Sequence, residues 1–125
     1  MKAARLITLL GSIATFVTGC LHSFGFADIL ARAQRESLTA ETSAILKTCW
    51  LTFSVELLIL GILAFVARSM QRGSVIVLLC GLAVAACCGL MLYFLGPFIG
   101  VYMMSVDAIL LLIGGSLSYR VPAIS

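Results

Sequence analysis

Between Thr48 and Arg68 the chain reads TCWLTFSVELLILGILAFVAR, an apolar run with one charge inside it, Glu56. About 20 such residues are what a helix needs to cross roughly 30 Å of hydrocarbon. Three more runs of this kind follow the same rule: Leu6 to Phe26, Ser74 to Leu95 and Phe98 to Ser118. The predicted fold is therefore all-α: a polytopic membrane protein, a single domain over 1–125 built as a bundle of four transmembrane helices. The expected spans are about 5–26, 40–68, 74–95 and 98–119.

Composition limits what else the chain can be. It has 125 residues, 62% hydrophobic and 10% charged, with a mean hydropathy of +1.21. A soluble domain carries about 25% charge, so there is no room for a separate one. No basic patch of the kind that nucleic acid requires is present. The partners expected are the lipid bilayer and other membrane-protein subunits, or a second copy. No Gly-rich phosphate loop, zinc-type Cys/His spacing or nucleophile motif occurs, so neither an enzyme nor a cofactor or metal is expected. The five cysteines, Cys20, Cys49, Cys80, Cys87 and Cys88, lie in apolar runs without a CxxC pair. They are expected to be unpaired packing residues.

The first run carries a second pattern. Val17-Thr18-Gly19-Cys20, after a basic start and an apolar stretch, matches a bacterial lipoprotein cleavage site. The run continues through Leu21, Phe24 and Phe26, where a lipoprotein turns polar, so it reads as a spanning helix. Gly11, Thr15, Thr18, Gly19 and His22 share a narrow sector at 3.6 residues per turn. Small residues on one stripe let another helix approach closely. Gly81 and Gly89 do the same for the third run, and Gly100 and Gly114 for the fourth.

Asp28 to Lys47 is the one long polar segment. Ile29, Leu30 and Ala33 recur at helical spacing, which predicts a short amphipathic helix at the membrane surface between the first and second spans. Ser37 to Thr39 breaks it. Thr39 is an N-cap residue with Glu41 in the turn that follows, so the second span should begin near Ala40.

Four spans place both termini and the Arg68–Arg72 turn on one side. That side holds Lys2, Arg5, Arg68, Arg72 and Arg120 and no acid; the other mixes Asp28, Glu36 and Glu41 with Arg32, Arg35 and Lys47. The positive-inside bias predicts a multi-pass protein of a bacterial inner membrane with cytoplasmic termini. Counted inward from the other surface at 1.5 Å per residue, His22 lies about 6 Å deep, Glu56 about 13 Å and Asp107 about 14 Å. An intramembrane acid is costly unless protonated, paired or facing water. Cys49, Thr52 and Glu56 share a face, and Gly100, Asp107 and Gly114 share another. Glu56, Asp107 and His22 are thus expected to form one intramembrane polar site facing protein or water.

The order of features resembles small four-helix bacterial membrane proteins of the DoxX-like kind. The shared points are a short helix after the first span, an aromatic near the start of the second (Trp50) and an acid within the fourth (Asp107). The resemblance is one of layout over most of the chain, and no catalytic residue is carried over from it. Two functions compete: a structural or accessory protein acting through helix contacts, or a small proton-coupled transporter using Glu56 and Asp107. A membrane redox or haem role would rest on His22 and the cysteines, and a lone histidine supplies no partner ligand.

Overall fold

The computed structural model describes residues 2–119. Arg120, counted above with the basic side, and the two chain ends lie outside that range. The described residues form five helices and no strand: α1 (Lys2–Phe24), α2 (Phe26–Arg35), α3 (Ala40–Ala67), α4 (Gly73–Leu95) and α5 (Ile99–Tyr119). Four of them, α1, α3, α4 and α5, are long and apolar enough to cross a membrane. The fold is an all-α four-helix bundle with α2 as a short appendage.

The pairing of the helices follows chain order except for α5, which returns to α1. α1 packs along both α3 and α5, α4 packs along α5, and α3 meets α4 over a smaller area. α1 therefore holds the bundle together, and its inward face explains how. That face is Ala4, Thr8, Gly11, Ser12, Thr15, Thr18 and Gly19, all small and all buried. In lipid, where water does not drive apolar surfaces together, association rests on such close van der Waals approach. The buried hydroxyls do not demand outside partners: Ser12 donates to the Thr8 carbonyl at 2.7 Å and Thr15 to the Gly11 carbonyl at 2.8 Å. The larger apolar core sits between α3, α4 and α5 around Leu57, Val77, Val84, Met104 and Leu111.

Both ends of α3 are built by local chemistry. Thr39 caps its start, its hydroxyl accepting from the Thr42 amide at 3.2 Å. Ser37, just before, takes a left-handed φ of 49°, which ends α2. At the other end the chain turns into α4 within five residues. A Cβ on Gly73 would run into the Ala67 carbonyl, so only glycine fits there. α2 begins after the single residue Gly25, whose backbone stays near helical values (φ −64°, ψ −9°), and it buries Ala33.

Candidate functional site

Where a glycine stands on an inward face, it meets a bulky side chain or the backbone of another helix. A Cβ on Gly11 would lie 3.0 Å from Leu110 Cβ, and one on Gly19 3.0 Å from the Leu58 amide nitrogen. One on Gly81 would lie 3.0 Å from Leu112 Cγ, and one on Gly114 2.8 Å from the Thr8 amide nitrogen. Thr15 is fully buried beside them. Gly61 makes the same kind of approach, 2.8 Å from the Phe16 nitrogen, although nothing in the α3 sequence marks it as special.

Two glycines depart from the expectation. Gly89 faces open space with nothing within 4 Å. It lies one residue past Cys88, and α4 turns it off the stripe that meets α5. Gly100 meets the ring of Phe98 on its own helix end, not a second helix. Neither is a helix-packing position. The work near Gly89 is done by its neighbour: the Cys88 thiol lies 3.2 Å from the Ser105 hydroxyl, which itself donates to the Val101 carbonyl at 2.8 Å.

Asp107 is buried on α5 at 2% exposure. It faces α1, with the Thr18 side chain beside its carboxyl. Its Oδ2 is the only fully buried side-chain oxygen or nitrogen without a hydrogen-bond partner among the described residues. Such an atom is expensive in a low-dielectric interior. A buried charge without a partner would cost more still.

Glu56 corrects the shared-site expectation. It is exposed. The buried stripe of α3 is Ser54, Leu57, Gly61, Ala64 and Ala67, which meets α1 and the core. Glu56 falls about 100° from Leu57 around the helix and so leaves that stripe. Cys49 and Thr52, expected to share its face, are exposed with it. Cys87 on α4 lies within its electrostatic reach. Cys88, the next residue, pairs with Ser105, two positions before Asp107. Asp107 thus points into the α1–α5 seam, whereas Glu56 points out of the bundle.

His22 belongs to a third place, a clasp between the end of α1 and the start of α3. Its Nδ1 lies 2.8 Å from Ser54 Oγ. Ser54 Oγ also reaches the Trp50 carbonyl, one turn back on α3, at 3.0 Å. Trp50 returns the link, donating Nε1–H to the His22 carbonyl at 2.8 Å. The imidazole and indole stack with centroids 4.0 Å apart and planes 16° off parallel, and Phe53 closes the edge at 5.0 Å. Gly25 makes room for the indole: a Cβ there would lie 2.9 Å from Trp50 Cζ2. Ser54 and Gly25 were not legible as partners, since each gains its role from a residue about 30 positions away.

All five cysteines are free thiols. Among the described residues no three His, Cys, Asp or Glu side chains converge as a metal site would require. No protein-family model, curated protein or solved structure matches the chain.

Proposed function

We propose that this chain is a structural or accessory subunit of a membrane complex, acting through helix contacts with another membrane protein or with a second copy of itself. The observation that carries the reading is the exposed Glu56, near the middle of a helix long and apolar enough to span. An acid turned toward acyl chains costs on the order of 2.5–3.5 kcal/mol on insertion scales. A partner helix that offers a donor across the α3–α4 seam removes that cost. The acid-free set Lys2, Arg5, Arg68 and Arg72 supports a cytoplasmic side at that end of the bundle, in a bacterial inner membrane.

The test is the composition of the protein extracted from its own membranes in mild detergent, read by native mass spectrometry. The expected result is a stoichiometric partner chain or a dimer. It should survive Glu56→Gln, which still accepts a hydrogen bond, and be lost in Glu56→Lys. A wild-type protein that is monomeric and partner-free in every detergent refutes the reading.

The second reading, a proton-coupled carrier, is favoured by the partnerless Oδ2 of Asp107. On that reading Asp107→Asn folds normally and abolishes a pH-dependent binding or transport signal.

A further inference from the structure

We propose that the α1–α3 seam, at the end carrying Arg5 and Arg68, binds an anionic phospholipid: its phosphate between the two arginines and one acyl chain along Ile13, Phe16, Ile62 and Phe65. This does not depend on the accessory-subunit reading.

Two adjoining cavities carry the inference. The first, about 420 Å³, is lined by Arg5 from α1 and by Phe65, Val66, Arg68 and Ser69 from the end of α3. The second, about 150 Å³, lies deeper along the same seam and is lined by Ser12, Ile13, Phe16, Gly61, Ile62 and Phe65. Phe65 belongs to both, so the two form one channel-like depression with a cationic mouth and an apolar floor. From Arg68 to Gly61 is seven residues of helix, about 10 Å toward the bilayer interior.

The mouth has the chemistry of a phosphate site. Arg5 from α1 and Arg68 from the cap of α3 both line it, and no acid does. The planar donor fork of arginine matches a phosphate oxygen pair. Arg68 is also held in place, its guanidinium stacked 4.2 Å over the centre of the Phe65 ring, so less side-chain freedom is lost on binding. Arg72, at the same end of the bundle, does not line the cavity. The opposite end of the bundle offers no equivalent, because its Arg32, Arg35 and Lys47 are interspersed with Asp28, Glu36 and Glu41.

The floor has the chemistry of an acyl-chain groove. Gly61 brings the α3 backbone against Phe16 of α1, and this close approach leaves a shallow furrow. Its walls are side chains still half exposed: Ile13 at 49%, Ile62 at 53% and Phe65 at 44%. A free phosphate would use the mouth alone. A neutral lipid would use the floor alone. A phosphodiester bearing acyl chains uses both, and basic pockets between spanning helices are known to take such headgroups.

The test is native mass spectrometry of the purified protein titrated with phosphatidylglycerol and with phosphatidylcholine of identical chains. The wild type should retain phosphatidylglycerol at least tenfold better than phosphatidylcholine. The double variant Arg5→Gln/Arg68→Gln should lose that preference, and Arg72→Gln should keep it. Inorganic phosphate at millimolar concentration should leave the phosphatidylglycerol adduct in place, and Ile62→Trp, which fills the furrow, should weaken both lipids. Circular dichroism of each variant establishes that it is folded; all four positions changed are at or near the surface. Equal retention of the two lipids by the wild type overturns the proposal. So does a preference unchanged in the double arginine variant, or displacement of the lipid by inorganic phosphate.

Discussion

Gly114→Ala tests whether close helix approach is what holds this bundle together. The added Cβ would stand 2.8 Å from the Thr8 amide nitrogen, 3.0 Å from its Cα and 2.5 Å from its Oγ1. Two of these atoms are backbone, so the clash is not relieved by a side-chain rotation. α1 and α5 must separate by several tenths of an ångström, and every dispersion contact along the seam weakens with them. Overpacking of this kind costs typically 1–3 kcal/mol. Ala in place of Gly also returns up to about 1 kcal/mol of helix propensity. Gly89→Ala separates the two effects, because nothing lies within 4 Å of that site. It should be neutral or stabilising, whereas Gly114→Ala should be net destabilising, the pair differing by about 1–3 kcal/mol. The assay is reversible unfolding in mixed detergent micelles, followed by far-ultraviolet circular dichroism and by the fluorescence of Trp50. If both alanine variants shift the midpoint equally, the stripe on α5 is not a packing device and the account of the bundle is wrong.

Four further outcomes follow from the geometry. Trp50→Phe removes the indole donor to the His22 carbonyl and should cost about 0.5–1.5 kcal/mol in the same unfolding assay; Gly25→Ala should displace the indole from its stack on His22 and shift the Trp50 emission while leaving helix content unchanged. Gly73→Ala should be the most damaging single alanine substitution of a glycine, since its Cβ would occupy the Ala67 carbonyl; low recovery of folded protein against Gly89→Ala checks this. Native protein treated with a water-soluble maleimide should label at Cys49, which is exposed and close to Lys47, well before the buried Cys80 and Cys88, and denatured protein should titrate all five thiols.

The element plan was readable from the chain because hydrocarbon thickness and helix rise leave few ways to divide four apolar runs. The Thr39 cap, the break at Ser37 and the start of α3 at Ala40 followed from local chemistry alone. So did the small face of α1, since its period is local to the helix. What each face meets is a different kind of fact. Glu56, Cys49 and Thr52 form a stripe as regular as Ser54, Leu57 and Gly61, and only the second stripe packs on α1. In a soluble helix the polar face and the apolar face announce their surroundings. In a spanning helix both sides are apolar, lipid and protein are alike in polarity, and periodicity no longer tells inward from outward. The tertiary structure decided that choice through shape. Gly61 takes Phe16, Gly19 takes Leu58 and Gly114 takes Thr8. These fits fix the rotation of α3 and α5, put Asp107 inside beside Thr18, and turn Glu56 out.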